Sequence, residues 1–159
     1  MSRRPDALAA VRALMARDRF AAANGVELTS LGRGRARTAM RVGRRHMNGV
    51  GTVQGGAIFT LADLAFAAAC NSNGTVAVAL DVAITFARPG LAGTLTADAR
   101  QVSLSRRVSV CEIRVTDGAG ELVALFRGTA FRKDEPVEAL LGPARPQGSG
   151  RSRPTRRRK

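Results

Sequence analysis

One apolar stretch, residues 57–70, constrains the fold more than any other part of the sequence. It is rich in alanine and too long for a typical strand, so it predicts a helix that is apolar on nearly every side and therefore buried. Asp63 is the one charged residue within it. The chain has 159 residues, of which 45% are apolar, and this is enough for one core built around such a helix.

The sequence after this stretch predicts antiparallel strands. Residues 76–86 alternate with period two, and further strands are predicted at about 94–103, 107–116 and 121–131. The alternation places one set of side chains on a single face: Val76, Val78, Leu80, Val82, Ile84 and Phe86. Residues 26–45 are ambiguous, although 36–42 alternate like a strand. We therefore predict an α+β fold in which an antiparallel sheet curls around one central helix.

The pattern predicts three segments along the chain. Residues 1–24 read as an N-terminal amphipathic helix, with Leu8, Val11, Leu14 and Met15 at helical spacing. Residues 25–135 form the main domain. Residues 136–159 are rich in Pro, Gly and Arg, which predicts a disordered tail.

The formal net charge is +14, and residues 142–159 carry seven of the positive charges and no acid. Such a tail either binds nucleic acid or an anionic membrane weakly, or is a solvated extension, and the second interpretation is favoured because no aromatic residue accompanies the charge. Aromatic residues make up only 4% of the chain, which argues against a base-stacking surface. We expect no specific nucleic-acid partner and no membrane partner.

Cys70 and Cys111 are the two cysteines, and they lie in apolar surroundings without metal-ligand spacing. They predict reduced core thiols in a cytoplasmic protein, since disulfides are rare in that compartment. No targeting segment is recognisable, and we expect no metal site.

Asp63 is a candidate catalytic carboxylate. A carboxylate in an apolar helix is costly unless it is paired or used, and pairing with a distant arginine is the structural alternative. Gly55 and Gly56 lie at the start of the same predicted helix, where backbone N–H groups can stabilise an oxyanion. Eight residues separate Gly55 from Asp63, about 12 Å along a helix. If the two groups cooperate, they come from different subunits of a dimer.

The residues around this helix start form the motif His46-x-Asn48-x-x-Gly51-Thr52-x-x-Gly55-Gly56, continued by Leu61-Ala62-Asp63-x-Ala65-Phe66. This motif resembles the PaaI-type thioesterases of the hotdog superfamily. Weaker similarity is found at Arg88-Pro89-Gly90 and Ser105-Arg106-Arg107. The resemblance covers residues 25–131.

The resemblance implies a hotdog fold, a curved antiparallel sheet wrapped around one long helix. It implies dimers with shared active sites in which two sheets join, usually paired into homotetramers. It also implies hydrolysis of an acyl-CoA, in some members an aryl-acetyl CoA from phenylacetate degradation, and no metal or organic cofactor.

The motif also implies roles for individual residues. Asp63 attacks the thioester carbon or activates water, Gly55 or Gly56 supplies the oxyanion N–H, and Asn48 positions water or Asp63. Gln54 stands where the family usually has His and would contact the substrate carbonyl. Glutamine donates a hydrogen bond but does not transfer a proton, so activity or substrate choice is expected to differ.

Four further residues are candidates for binding substrate or CoA: His46, Arg88, Arg106 and Arg107. For His46 a hydrogen bond that structures the loop is the favoured alternative, and for each arginine the alternative is a solvated side chain. Two other functions remain open. One is a non-catalytic acyl-CoA-binding hotdog protein whose basic tail associates weakly with nucleic acid, and the other is a hotdog dehydratase, for which no Asp–His pair is seen.

Overall fold

The computed structural model describes residues 6–142. Four helices, a short 3-10 turn and six strands follow in the order α1 (Ala7–Met15), α2 (Arg19–Ala23), β1 (Val26–Gly32), β2 (Arg35–Arg41), the 3-10 turn (Arg44–His46), α3 (Gly55–Asn71), β3 (Thr75–Phe86), β4 (Thr94–Leu104), β5 (Val108–Thr116), β6 (Leu122–Pro136) and α4 (Val137–Leu141). All paired strands are antiparallel and form one sheet in the order β1-β2-β4-β5-β6-β3.

Helix α3 is the centre of the core. It contacts all six strands, which requires the sheet to curve around it. Leu61, Ala62 and Ala65 are fully buried between the helix and the sheet. Small alanine side chains let the helix lie close to the strands on several sides, and the predicted α+β fold with a central helix is confirmed.

A glycine in β6 sets how closely α3 approaches the sheet. A Cβ atom at Gly128 would lie 2.6 Å from the ring of Phe66, closer than side chains pack. The Phe66 ring therefore fills the space that a side chain at position 128 would need. It also lies 5.7 Å from the ring of Phe126, its neighbour in the core.

The N-terminal segment forms two helices where the sequence predicted one. Asp6 accepts a hydrogen bond from Leu8 N–H (3.1 Å) and caps α1, whereas Asp18 accepts one from Ala21 N–H (2.8 Å) and caps α2. Asp18 ends the first periodic stretch because its side chain competes for backbone N–H groups and starts a new helix.

The prediction that a disordered tail begins at residue 136 is wrong for residues 136–142. Val137 begins α4 and is fully buried in a cluster with Val11 and Val76. Arg17 donates hydrogen bonds to the carbonyls of Leu140 and Leu141, both at 2.9 Å. These contacts with α1 order a short segment whose composition resembles a linker. The rest of the predicted tail, residues 143–159, lies outside the described residues.

Strand β3 departs from the predicted alternation. Its register with β6 shifts between Ala79 and Asp81, which leaves Leu80 as an extra residue. Ala79 lies opposite the buried Ala130, so it shares the helix-facing side with Val82. Val78 consequently lies on the other face, and the single-face prediction for residues 76–86 is wrong before the bulge.

Cys70 of α3 and Cys111 of β5 are buried free thiols whose Sγ atoms are 3.4 Å apart. Within residues 6–142, no helix has the length and apolar character needed to cross a membrane.

Candidate active site

The loop before α3 is organised around His46. The imidazole is only 2% exposed, its Nδ1 accepts a hydrogen bond from Gly43 N–H (2.9 Å), and its Nε2 lies 2.8 Å from the carbonyl oxygen of Asn24. Arg45 Nε also lies 3.2 Å from Nε2, so both ring nitrogens are engaged by protein groups. The carbonyl of His46 accepts a hydrogen bond from Gln54 N–H at 2.7 Å. His46 therefore joins the end of α2 to the start of α3, which is the loop-structuring role, and its ring nitrogens are not available to a substrate.

Asn48 closes the same loop. Its Oδ1 accepts hydrogen bonds from Val50 N–H (3.0 Å) and Thr52 N–H (3.1 Å), and its Nδ2 donates to Thr52 Oγ1 at 2.9 Å. Such turns use the asparagine side chain in place of backbone partners. Asn48 holds the turn in shape, and within one protomer it makes no hydrogen bond to Asp63.

Gln54 is the N-cap of α3. Its extended backbone conformation leads into the helix, and its Oε1 accepts a hydrogen bond from Gly56 N–H. The Gly56 N–H is thus engaged by the cap, whereas the Gly55 N–H has no acceptor within residues 6–142. Of the two candidate oxyanion donors, Gly55 is the one whose amide remains available.

The available amide opens onto a cavity of about 330 Å³. Asn48, Thr52, Phe86 and Arg88 line this cavity together with Gly55. A Cβ atom at position 55 would lie 3.0 Å from Cζ of Phe86, so glycine lets the ring approach the helix start. The cavity combines a helix N-terminus with a cationic side chain, and both favour an anionic or carbonyl group.

Asp63 lies in the middle of α3 and is partly buried. Its carboxylate makes no hydrogen bond or salt bridge with any residue in the range 6–142. The alternative in which Asp63 pairs with a distant arginine is therefore not supported there. Burial raises the pKa of the Asp63 carboxyl, and the nearby negative charge of Asp18 raises it further. A carboxylate with a raised pKa is suited to accept a proton or to act as a nucleophile.

One stripe of α3 remains partly accessible in an otherwise buried helix. It consists of Gly56, Phe59, Thr60, Asp63 and Ala67, at intervals of three and four residues. This stripe joins the helix start to Asp63 along about 12 Å. Phe59 and Thr60 were not proposed from the sequence, although helical periodicity from Asp63 points to both of them.

The three candidate arginines do not come together within one protomer. Arg88 pairs with Glu121 at 2.8 Å and lines the cavity beside Gly55. Arg107 pairs with Asp134 at 2.7 Å and lies over the ring of Phe131, with Arg106 3.7 Å from the same carboxylate. Phe131 lies opposite Val78, eight residues before the end of β3 at Phe86. Arg107 and Arg88 therefore lie at opposite ends of the strand, about 25 Å apart.

Within residues 6–142, no group of three or more metal-binding side chains is found. Asp18 and Phe20, close to Asp63 and to the helix start, were missed by sequence reasoning. No local pattern signals them, because about 40 residues separate them from Asp63 in the chain and only the packing of α2 on α3 brings them near.

Known proteins share both the sequence pattern and the geometry. The chain matches the thioesterase superfamily over residues 50–124. It is 41% identical over 121 residues to acyl-coenzyme A thioesterase PaaI of Escherichia coli, an alignment that covers 76% of this chain and 86% of that protein. The chain belongs to the thioesterase superfamily.

Solved structures show the same hotdog architecture. The E. coli PaaI protein of the phenylacetic acid degradation operon superposes with a TM-score of 0.79 at 39% identity, covering 82% of this chain and 96% of that one. A protein of Streptococcus mutans, solved bound to acetyl CoA, superposes with a TM-score of 0.67 at 29% identity, covering 70% and 90%. The predicted family and hotdog fold are confirmed.

Proposed function

We propose that this protein hydrolyses a small acyl-CoA thioester, with aryl-acetyl and other aromatic acyl groups among the candidates, to give the free acid and CoA. The observation that carries the proposal is a pair of groups on α3 that have no partner within residues 6–142: the Asp63 carboxylate and the Gly55 N–H. Their chemistry matches the two requirements of thioester hydrolysis, a base or nucleophile and an oxyanion donor. The PaaI relative, an acyl-CoA thioesterase by name, supports the same reaction.

In the proposed mechanism the Gly55 N–H donates a hydrogen bond to the thioester carbonyl oxygen. Charge builds up on that oxygen as the carbonyl carbon becomes tetrahedral, and the helix N-terminus stabilises it. Asp63 either takes a proton from the attacking water or attacks the carbon itself to form an anhydride that water then cleaves. In both routes the C–S bond breaks and the CoA thiolate leaves.

The two routes are separable by isotope labelling. A single turnover in ¹⁸O water places label in Asp63 only if the carboxylate is the nucleophile and water then attacks the Asp63 carbonyl of the anhydride. Label confined to the product acid is expected if Asp63 activates water or if water attacks the acyl carbonyl of the anhydride, and trapping of the anhydride with hydroxylamine separates these two cases. Mass spectrometry of the peptide that contains Asp63 distinguishes these outcomes.

Arg88 is the proposed contact for the CoA moiety. It is about half exposed, pairs with Glu121 at the surface, and lines the cavity beside Gly55. A guanidinium that lines this cavity is placed to bind the CoA moiety as it extends away from the thioester, through an amide carbonyl of the pantetheine arm or a phosphate beyond it. Arg106 and Arg107 lie too far away to join Arg88 within one protomer.

We further propose a homodimer with shared active sites, and from it a homotetramer. Gly55 and Asp63 lie about 12 Å apart on one helix, too far for one carbonyl group to contact both. Strand β3 is an edge strand of twelve residues that exposes Leu80 and Phe86, and such edges invite pairing. Antiparallel pairing of two β3 strands would also bring Arg88 close to the partner's Arg107.

Mixed dimers test the shared site. Gly55→Pro removes the N–H group, and proline suits this first helical position because Gln54 is extended. Both Gly55→Pro and Asp63→Ala should be inactive alone. When the two variants assemble at random, half of the dimers are mixed, and each mixed dimer has one intact site of two. The mixture should therefore recover about a quarter of wild-type activity. Absence of recovery in verified mixed dimers would place each site within one protomer.

The proposed activity is tested by release of free CoA from a panel of acyl-CoAs, followed with a thiol-reactive dye. Asp63→Ala and Asp63→Asn should each lower kcat by about 10²–10⁴-fold. Asp98→Asn is the matched control, since that carboxylate is exposed and pairs with Arg37 at 2.6 Å on the sheet. Unchanged rates in both Asp63 variants would reject the role of this residue.

The alternative, a non-catalytic acyl-CoA-binding protein, draws on one observation. Gln54 stands where the family usually has His, and its side chain is engaged in capping Gly56 N–H. Tight acyl-CoA binding without turnover, together with turnover gained by Gln54→His, would favour this alternative. The two reduced thiols favour a cytoplasmic location, which cell fractionation tests.

A further inference from the structure

A groove of about 510 Å³ lies between α2 and the first half of α3. Its walls combine Phe20 and Asn24 from the N-terminal segment with Met47, Gln54, Phe59 and Thr60. A groove of this size is within the range of small-molecule sites. It is distinct from the cavity beside Gly55 that contains Arg88, because the two lie on different sides of the helix start and share none of these residues.

The groove ends about one helical turn before the proposed catalytic carboxylate. Phe59 and Thr60 precede Asp63 by four and three residues, so all three lie on the accessible stripe of α3. The hydroxyl group of Thr60 donates to the carbonyl of Gly56 at 2.8 Å and is therefore engaged within the helix. The rest of the wall is mixed: Phe20, Met47 and Phe59 are apolar, whereas Arg45 and Gln54 are polar. The apolar part, formed by the two phenylalanine rings and Met47, suits the acyl group of a thioester.

The inner wall of the groove is fixed. Phe59 is partly buried and lies edge-on to Phe126 of the core, with ring centroids 5.2 Å apart. The outer wall is Phe20, a residue that is 69% exposed. A large aromatic side chain left this exposed beside a groove favours a role in contacting an apolar group.

The segment that carries Phe20 is anchored at both ends. At its beginning Asp18 caps α2 through Ala21 N–H, and at its end the Asn24 carbonyl is bound by His46. His46 in turn bonds to Gln54, the N-cap of α3. Phe20 is therefore held in a defined place relative to α3.

We propose that Phe20 is a specificity-determining residue, which forms the outer wall of the acyl-binding groove and selects bulky acyl groups over acetyl. The inference rests on the proposed function, since it assigns the acyl side of the same site. It makes the N-terminal helical segment a part of the substrate site.

The test compares phenylacetyl-CoA with acetyl-CoA. Phe20→Ala should lower kcat/KM for phenylacetyl-CoA about tenfold and leave that for acetyl-CoA nearly unchanged, because an acetyl group is too short to reach the outer wall. Phe20→Leu should give an intermediate ratio. Leu140→Ala, which removes an exposed apolar side chain from α4, is the control and should change neither value.

Binding provides a second readout that does not need turnover. Non-hydrolysable thioether analogues of CoA carrying a phenyl or a methyl group are titrated calorimetrically into wild type and Phe20→Ala. A loss of affinity of about tenfold that is confined to the phenyl analogue supports the role of Phe20. This holds even if wild type releases no CoA, because the absence of CoA release would reject only the proposed hydrolysis. An equal effect of Phe20→Ala on both analogues and both substrates overturns the role of Phe20.

Discussion

The loop at residues 43–54 and the helix that follows it differ in whether their key polar groups are hydrogen-bonded. In the loop, the side chains of His46, Asn48 and Gln54 are all engaged with neighbouring backbone groups. In α3, the Gly55 N–H and the Asp63 carboxylate have no partner within residues 6–142. The loop residues therefore shape the site, whereas the two unengaged groups of the helix are available to react with a substrate.

This contrast changes how the motif is interpreted. Residues of one motif divide into those that build the helix entrance and those that carry the proposed chemistry. Variants of the first group should affect the free energy of unfolding, and variants of the second should affect kcat. The following measurements test that division.

Replacement of Gly55 by proline should have the largest effect. It removes the available N–H, so kcat should fall about 10²–10³-fold while the unfolding midpoint changes little. Gly55→Ala keeps the N–H and should lose less, because its Cβ displaces Phe86 by only a few tenths of an ångström. Equal kcat values for Gly55→Pro and wild type in the CoA-release assay would contradict the assignment of the oxyanion donor.

His46→Ala should destabilise the protein by about 2–4 kcal/mol, because it leaves the Gly43 N–H and the Asn24 carbonyl without partners and opens a buried space. Urea unfolding measures this change. Arg44→Ala, an exposed neighbour, is the control and should stay within about 0.5 kcal/mol of wild type. An unaltered midpoint for His46→Ala would mean that the loop does not depend on its histidine.

Asp63→Asn should stabilise the fold while it removes activity. Because the pKa of Asp63 is raised in the folded state, ionisation costs stability as pH rises from the unfolded pKa to the folded one, and this loss persists at neutral pH. The asparagine variant should therefore have a higher Tm at pH 7, with the difference disappearing in acid. A lower Tm at pH 7 would indicate that the carboxylate has a stabilising partner.

Asp18→Asn should have the smallest effect, a displacement of the pH–rate profile. The negative charge of Asp18 raises the pKa of Asp63, so its removal should lower that pKa and move the acid limb of kcat to lower pH. Asparagine remains a good N-cap, which preserves α2. If the acid limb stays in place, Asp18 does not influence the catalytic carboxylate.

Sequence patterns predicted the central helix well, since the run from Ala57 to Cys70 is too long and too rich in alanine for a strand. The structure extends the helix at both ends, to Gly55 and Asn71. The family motif also pointed to Asp63 and the two glycines. These features are encoded locally, by residues within one turn of each other or within one motif.

Features that depend on tertiary contacts were not predictable in the same way. The bulge at Leu80 is hidden because larger apolar residues recur at every second position through it, at Val78, Leu80 and Val82, so the alternation continues in the sequence while the faces exchange. Helix α4 is hidden because its order comes from the packing of Val137 on α1, not from its own composition. Which of Gly55 and Gly56 keeps its amide available depends on the conformation of the Gln54 side chain.

The absence of a side chain at Gly128 limits how the sequence around this site can change. Phe66 follows Asp63 by one helical turn and presses against that glycine, so the sheet determines how deep the carboxylate sits. Any larger residue at position 128 would displace the Phe66 ring. If α3 moves with the ring, a displacement of about 1 Å can cost a reaction about a hundredfold. The reaction at Asp63 therefore limits which residues can replace Gly128, although Gly128 lies on the sheet and not in the proposed site.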